Sequence, residues 1–356
     1  MSLLVVLGII AVAQAVFVVM LAVFVLLRRE RQQRRTARVS AGRNTLTAPL
    51  AQWLAGTGTI ARVVEALHGL PHASALSFAA ELYDTRVPPS LRAPFGVALR
   101  DEPWVMWALR GADSWRWWRR LDAARALNLV GTRRDSEALR PLIDDPHPAV
   151  RLAAAQALAA VDDPDLVRVA VRRYPQEALA LRLFMTNTLR AAWRVTETPL
   201  RECLASDAPS VDLAAWLGLA EAMDLPSLRT AITALVRHPD AEVRAPAARA
   251  LRRYPHAESV EAVHALLSDK QDFVRAAAAQ ALGVLRAGVA QPDLEHGLTD
   301  PAWWVRFRSA LALALLGEPG RAALRRALRS PDRYAREIAE MTSGLSDGAV
   351  HELADA

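Results

Sequence analysis

The chain has almost no thiol chemistry to offer. Cys203 is the only cysteine among its 356 residues, so an intrachain disulfide is impossible and nothing indicates an oxidising compartment. A lone cysteine in an alanine- and leucine-rich segment is usually a small core residue, and no histidine is placed in the sequence to activate it. We therefore expect Cys203 to pack in the interior rather than to act as a nucleophile.

The recurrent motifs of catalysis are missing as well. The chain contains no Gly-x-Ser-x-Gly, no His-Glu-x-x-His and no phosphate-binding loop, and residues 56–58 are too short for a dinucleotide fingerprint. His68 and His72 are four residues apart, but a Gly-Leu-Pro sequence between them breaks the helix that would align them on a metal. The paired carboxylates at 144–145 and 162–163 fall where turns are expected and suit helix capping. We expect no enzyme activity, no metal and no cofactor.

Lysine is nearly absent, since Lys270 is the only one, and this arginine-rich composition is typical of a GC-rich bacterial genome. The net charge of +6 and the pI of about 10.3 would suit a nucleic-acid-binding protein. That charge is confined to one short stretch, opposed only by Glu30, and the remainder of the chain is neutral. The basic residues of the stretch are Arg28, Arg29, Arg31, Arg34, Arg35, Arg38 and Arg43. Nucleic acid is therefore not an expected partner.

The basic stretch follows an apolar run, residues 3–27, in which Gln14 is the only strongly polar residue. A helix of that length spans a hydrocarbon core of roughly 30 Å. A cleavable signal peptide would carry its basic residues before the apolar run, whereas here they follow it. The sequence therefore predicts an uncleaved transmembrane anchor. By the positive-inside rule, Arg28 to Arg38 contact the cytoplasmic membrane surface, the N-terminus lies outside, and the rest stays in the cytoplasm of a bacterial inner membrane.

Internal repeats dominate the rest of the chain. The segment DPHPAVRLAAAQAL, which begins at Asp145, recurs as PDAEVRAPAARAL from Pro239, DKQDFVRAAAAQAL from Asp269 and DPAWWVRFRSALAL from Asp300. A weaker copy begins at Pro331. The aligned apolar positions, about 31 residues apart, are Val150, Val243, Val274, Val305 and Ala335, with Leu181 and Val211 as intermediates and residues 119–127 one period earlier. This gives eight units between residues 96 and 346.

The pattern resembles HEAT repeats, particularly the short bacterial HEAT-like type found in phycobilisome lyases. The resemblance implies an all-α fold, a right-handed α-solenoid of helical hairpins. Asp and Pro would end one helix and cap the next, and the valine would begin the second helix of the hairpin. An arginine follows the valine and forms a structural ladder that bonds carboxylates or carbonyls of the adjacent turn. Its members are Arg151, Arg182, Arg244, Arg275, Arg306 and Arg336, and Asp212 interrupts it.

The chain thus divides into five segments. These are a transmembrane anchor (1–27), a basic juxtamembrane segment (28–43), degenerate capping helices (44–95), a HEAT-like solenoid (96–346) and a frayed tail (347–356).

Tryptophan is unusually frequent, and its distribution suggests binding surfaces. Five of the ten tryptophans lie within residues 104–118, where arginines separate them. Such a cluster suits a membrane-interface belt, a partner hot spot, a nucleic-acid stacking patch or simply core packing; its candidate binding residues are Trp115, Trp117 and Trp118. Trp303 and Trp304 precede a repeat's second helix, where we expect at least one to be exposed and to anchor a partner.

The predicted function is a membrane-anchored scaffold that binds a protein, as an accessory subunit of a membrane enzyme complex such as a glycosyltransferase or polysaccharide synthase. No small-molecule ligand is expected, because solenoids offer long, shallow surfaces. Two alternatives come from resemblance to other HEAT-like proteins. The first is a lyase or chaperone-lyase acting on a cofactor-bearing protein, and the second is a nucleic-acid-binding protein similar to HEAT-like alkylpurine DNA glycosylases, which requires a basic concave face.

Overall fold

The computed structural model describes residues 45–355, which are helical with no β-strand in that range. The chain forms two compact units, the first ending at Leu142 and the second beginning at Ile143. Residues 3–27 and 28–43, on which the predicted anchor and its basic flank fall, lie outside the described residues. Within 45–355, no helix is both long and apolar enough to cross a bilayer.

The first unit consists of short helices punctuated by prolines. Pro71 directly precedes one helix and Pro89 is the first residue of the next, where a missing amide proton costs nothing. The helices are α1 (45–54), α2 (Ile60–His68), α3 (His72–Thr85), α4 (Pro89–Leu99), α5 (Pro103–Leu109), α6 (Trp117–Val130) and α7 (Ser136–Ile143), which ends at the border, with a 3₁₀ turn at Arg133–Asp135.

The core of the first unit explains why its border differs from the one expected near residue 95. Val63 from α2, Phe95 from α4 and Trp104 from α5 are buried in one apolar cluster that also includes Ala126 of α6. Because α4 to α6 share their core with the helices before them, they belong to the same compact unit.

The second unit is built from successive helical hairpins. Its helices are α8 (Pro148–Val161), α9 (Pro164–Arg173), α10 (Leu179–Ala191), α11 (Trp193–Leu204), α12 (Ser210–Met223), α13 (Arg229–Leu235), α14 (Ala241–Leu251), α15 (Ala257–His264), α16 (Asp272–Val284), α17 (Gln291–His296), α18 (Trp303–Leu315), α19 (Glu318–Ala327), α20 (Arg333–Ser343) and α21 (Asp347–Asp355). Short 3₁₀ turns lie at Tyr174–Gln176, Pro226–Leu228, Ala265–Ser268, Gly288–Ala290 and Gly297–Thr299.

The predicted repeat register is correct at most positions. Val150, Val243, Val274, Val305 and Ala335 are each the third residue of their helix, and all five are buried. Small residues let these helices approach closely: a Cβ added at Gly283 of α16 would lie 2.6 Å from the Ala312 Cα of α18. Alanine-rich faces therefore bring successive helices into direct backbone contact.

The register assigned to α12 is wrong by two residues. Val211 is 72% exposed, whereas Leu213 is buried in the core. Leu213 therefore takes the place of the repeat valine, and Ala214 rather than Asp212 stands where the ladder arginine would be. The ladder is therefore interrupted in α12, as predicted, but by Ala214, whose side chain is apolar.

The C-terminal segment expected to fray is instead the helix α21, which packs on α16 and α18. Its Val350 and Ala354 are buried. The side chain of Gln280 donates to the Ala354 carbonyl at 2.6 Å, and Arg308 donates to the Leu353 carbonyl at 2.6 Å. These two bonds satisfy carbonyls that the end of a helix leaves without partners.

The arginine ladder joins neighbouring repeats. Arg244 donates from Nη1 to the His238 and Pro239 carbonyls of its own turn, and from Nε and Nη2 to both carboxylate oxygens of Asp269 in the next repeat at 2.7 and 2.9 Å. Arg275 repeats the arrangement with Asp300, at 2.8 and 2.9 Å. Each fork thus binds one turn to the next.

The same carboxylates also cap their own turns. Asp269 Oδ1 accepts from the Gln271 amide and Asp300 Oδ1 from the Ala302 amide. One carboxylate therefore orders the turn before its own helix and receives the guanidinium of the preceding repeat.

Arg151 makes the same arrangement with a glutamate, donating to the Asp145 and Pro146 carbonyls and to both carboxylate oxygens of Glu177 at 2.7 Å. The other ladder arginines differ. Arg306 bonds the carbonyls of its own turn and lies 4.6 Å from the ring centroid of Tyr334, because Ser330 stands where a carboxylate would be. Arg336 bonds only carbonyls of its turn, and the Nε of Arg182 is buried without a hydrogen-bond partner.

The ladder lowers the pKa of its carboxylates. Burial raises the pKa of Asp269, Asp300 and Glu177, but hydrogen bonds from the arginine guanidiniums outweigh that effect and hold each pKa below its usual value. Backbone amides act in the same direction at Asp269 and Asp300.

The first prediction concerns the link itself. Arg275→Met should lower the free energy of unfolding by about 2–3 kcal/mol, because it leaves the largely buried Asp300 carboxylate without its cation. Arg336→Met is the matched control, since it removes the same guanidinium from a repeat without such a carboxylate, and it should cost under about 1 kcal/mol. Urea denaturation measures both. If both variants lost the same free energy of unfolding, the pairing of Arg275 with the Asp300 carboxylate would contribute nothing to stability.

The second prediction is an acid dependence. A carboxylate whose pKa is lowered by folding stabilises the protein above its unfolded pKa, about 4 for Asp, and this stabilisation is lost as the pH falls through the folded value. The free energy of unfolding should therefore drop below about pH 4. In the double variant Asp269→Asn/Asp300→Asn, the free energy of unfolding should be lower than in the wild type at pH 7. It should also fall less on acidification, because the two titrating carboxylates are gone. Asp347→Asn, which changes a carboxylate that is 75% exposed, should keep the wild-type profile. If the double variant kept the wild-type dependence on pH, these two carboxylates would not be its source.

Candidate functional site

Exposed aromatic rings mark the start of α18. Trp303 and Trp304 are 45% and 58% exposed. Trp303 stacks on Phe307, one turn later in the helix, with ring centroids 5.0 Å apart and planes inclined by 13°. Trp304 meets Trp303 edge to face at 4.7 Å. Mutual packing fixes the two indoles against the buried Phe307 and leaves their outer faces to solvent.

The neighbouring repeats carry aromatic rings at the same place. Phe273, Trp304 and Tyr334 are each the second residue of their helices, and all three are exposed. Because α16 packs on α18 and α18 on α20, equivalent positions lie side by side. Phe273, Trp303, Trp304 and Tyr334 thus occupy matching helix starts in three successive repeats of the second unit, and we name this set the aromatic edge.

The ladder holds the aromatic edge in place. The turn before Trp303 is fixed on both sides, since Arg275 binds the Asp300 carboxylate while Arg306 donates to the Asp300 and Pro301 carbonyls. The buried Arg306 guanidinium also supports the Tyr334 ring. The aromatic side chains thus project from turns whose backbone is pinned by ionic hydrogen bonds.

The aromatic edge has charges of both signs at its rim, including the exposed Lys270. Arg333 pairs with Glu337 at 2.6 Å, and the exposed Asp272 accepts from the Phe273 amide. An exposed surface that is apolar at its centre and mixed in charge at its rim is typical of protein interfaces.

The tryptophans of the first unit divide between core and surface. Trp104 is fully buried, and Trp107 is half-buried beneath Arg119, whose guanidinium lies 4.2 Å from its ring centroid. The core interpretation therefore applies to these two residues, and not to the other three.

Trp115, Trp117 and Trp118 are exposed, with Trp115 at 82%. The Arg116 guanidinium lies 4.8 Å from the Trp115 ring centroid and 5.6 Å from that of Trp118, while Trp117 and Trp118 meet edge to face at 6.2 Å. We name residues 115–118 the basic aromatic patch. Trp117 and Trp118 open α6 just as Trp303 and Trp304 open α18.

The other residues considered in the sequence belong to neither of the two aromatic surfaces. Arg28, Arg29, Arg31, Arg34, Arg35 and Arg38, the predicted membrane-surface residues, lie outside the described residues. Cys203 is buried, and burial raises the pKa of its thiol, which disfavours the nucleophilic thiolate. His68 contacts Glu102 at 3.0 Å, and residues 45–355 include no group of side chains suited to a metal ion.

Sequence reasoning found Trp303 and Trp304 but missed their neighbours in the aromatic edge. Phe273 and Tyr334 are single aromatics in unremarkable sequence, and they become part of a surface only when repeats are aligned by helix position. The signal was present: each lies one residue before the buried residue of its repeat, Val274 or Ala335.

The chain has distant similarity to proteins of known structure. An engineered protein of known structure is 19% identical, with 88% of this chain and 94% of that one aligned and a TM-score of 0.36. Human deoxyhypusine hydroxylase, solved with glycerol, is 17% identical over 80% of this chain and 97% of its own, with a TM-score of 0.29. Kap121p is 11% identical over 88% of this chain and 45% of its own, with a TM-score of 0.41. No curated protein matches the chain.

The family model for HEAT repeats matches residues 103–182, 195–283, 226–298 and 274–343. These overlapping matches cover well over half of the sequence, including the ladder and the aromatic edge. The chain therefore belongs to the HEAT repeat family.

Proposed function

We propose that this chain is a non-enzymatic HEAT-repeat scaffold, anchored in the bacterial inner membrane by residues 3–27, that binds a protein partner at the cytoplasmic face. The aromatic edge is its docking surface. The observation that carries the proposal is that four exposed aromatic side chains occupy matching helix starts in three successive repeats, and that the turn before Trp303 is fixed by the arginine ladder.

Energetics favour a protein partner for this surface. Trp and Tyr are enriched among the few residues that supply most of the binding energy in protein interfaces, because they bury a large area and lose little side-chain entropy. The rings of Trp303 and Trp304 are already ordered by Phe307 before a partner arrives. Preorganisation of this kind lowers the entropic cost of binding.

The anchor would set where the partner is held. The apolar run followed by Arg28 to Arg38 gives the orientation, with the N-terminus outside and the repeats in the cytoplasm. A partner that is itself a membrane enzyme, such as a glycosyltransferase or polysaccharide synthase, would meet the scaffold in the same plane. This setting is offered by analogy, and the chain would be an accessory subunit.

Two other functions fit the observations less well. A lyase requires a nucleophile or a positioned acid, and the only thiol, Cys203, is buried with a raised pKa. A nucleic-acid-binding protein requires a row of free cations. The regular basic residues of the repeats direct their guanidiniums at carboxylates and carbonyls within the fold, as Arg244 and Arg275 illustrate.

The third prediction tests the docking surface. Full-length protein should co-purify with a membrane protein from its native membrane in mild detergent, and Trp303→Ala/Trp304→Ala should lose it. Loss of a hot-spot pair of about 2 kcal/mol or more weakens binding roughly 30-fold, which is enough to empty the complex during washing.

Trp193→Ala is the matched control, because Trp193 is an exposed tryptophan of the second unit that lies outside the aromatic edge. It should retain the partner. A partner retained by both variants would place the interface elsewhere, and one lost from both would indicate general destabilisation, which thermal unfolding of each variant would reveal. Recovery of the chain alone would contradict the scaffold function.

A further inference from the structure

We infer that the basic aromatic patch of the first unit, residues 115–118, docks onto an anionic lipid surface. The inference rests on the proposed membrane anchor and adds to it a second contact with the bilayer. It assigns the two tryptophan-rich surfaces of the chain to different partners, lipid for the patch and protein for the aromatic edge.

The side-chain chemistry of the patch suits the headgroup region. Tryptophan concentrates at the membrane–water interface because its ring is apolar and its N–H still finds a hydrogen-bond acceptor there. Trp115 is 82% exposed, and the only described group over its ring is the Arg116 guanidinium. Trp117 and Trp118 extend the same surface with rings that are 40% and 46% exposed.

The charge of the patch complements anionic phosphate. The Arg116 guanidinium lies against the rings of Trp115 and Trp118 and, among the described contacts, pairs with no carboxylate. Arg110 nearby donates only to the Met106 carbonyl of its own helix among those contacts. Residues 110–120 contain four arginines and a single acidic residue, Asp113.

The aromatic edge differs in the bonding of its arginines. There the exposed cation Arg333 is already paired with Glu337, and the buried Arg306 is committed to carbonyls and to the Tyr334 ring. Free cations interleaved with tryptophans indicate a lipid surface, whereas paired charges around aromatic rings indicate a protein.

The length of chain before the first unit permits the contact. Seventeen residues, 28–44, separate the apolar run from α1, so the unit begins at most about 60 Å from the bilayer even if that segment is fully extended. A unit of this size has a radius of gyration of only about 13 Å. Tethering thus keeps the patch at high local concentration beside the membrane, where a weak contact is populated.

The fourth prediction is made on full-length protein reconstituted into phosphatidylcholine vesicles with or without phosphatidylglycerol. In a Cys203→Ala background, an NBD fluorophore is attached at Trp115→Cys or, as matched control, at Trp304→Cys. Both positions are exposed, so neither replacement disturbs the core. With phosphatidylglycerol, emission from position 115 should shift to shorter wavelength and be quenched by doxyl lipid, whereas emission from position 304 should do neither.

Charge dependence completes the test. Adding Arg110→Gln/Arg116→Gln to the labelled protein should abolish the quenching at position 115, and the exposed pair Arg133→Gln/Arg134→Gln should not. Raising NaCl from 0.1 to 1 M, which shortens the screening length from about 10 to about 3 Å, should also reduce it. Equal quenching at positions 115 and 304, or none at 115, would overturn the inference.

Binding of RNA or protein to the patch would give a different result from lipid binding, and failure of the membrane anchor would be detected by a separate measurement. A spectral shift at position 115 that requires single-stranded RNA or a protein fraction, with lipid having no effect, overturns the inference. Carbonate extraction of the same vesicles reports separately on the anchor. Resistant protein without quenching at position 115 overturns only the lipid contact. Extractable protein that is still quenched supports the lipid contact and overturns the anchor.

Discussion

The bond between a repeat's arginine and the next repeat's aspartate is the constraint on which the second unit depends. Helices as rich in alanine as α14 and α16 can slide past one another, because small side chains give close contact but little registration. The Arg244–Asp269 and Arg275–Asp300 pairs supply that registration, since a planar guanidinium binds a carboxylate in one geometry. Their carboxylates also accept from amides of the turns that precede α16 and α18, so the same atoms set the spacing between repeats and the shape of these turns.

The arginine ladder also orders the aromatic edge at the surface. A tryptophan in an unconstrained loop would lose much conformational freedom on binding, whereas Trp303 and Trp304 follow a turn that is bonded from two repeats. Where the carboxylate is missing after Arg306, the Tyr334 ring takes its place above the guanidinium, so one residue serves both the ladder and the aromatic edge. The link that stabilises the fold therefore also preorganises the proposed docking site.

The sequence was sufficient for the features that repeat and insufficient for those that occur once. The 31-residue period located the buried valines, because each is surrounded by the same neighbours. It misplaced the buried position of α12, which is Leu213, two residues after the exposed Val211. It also missed α21, whose small, polar sequence becomes helical through contacts from distant residues, Gln280 and Arg308. Long-range contacts of this kind leave no local pattern, and the bonding of Arg182 was unpredictable for the same reason.

The first turn of each repeat's second helix is where this fold can change function at little cost. In α16 and α18 the third residue, Val274 or Val305, is buried and must stay apolar, whereas the first two residues are exposed. In α6 the exposed pair Trp117-Trp118 is followed by the half-buried Arg119. The two pairs of tryptophans differ in the nearest arginine: Arg116 lies against the rings of Trp115 and Trp118, whereas Arg306 is buried and lies against the Tyr334 ring. In the proposed assignment, specificity for lipid or protein depends on whether an arginine is free at the surface, a property that single substitutions change.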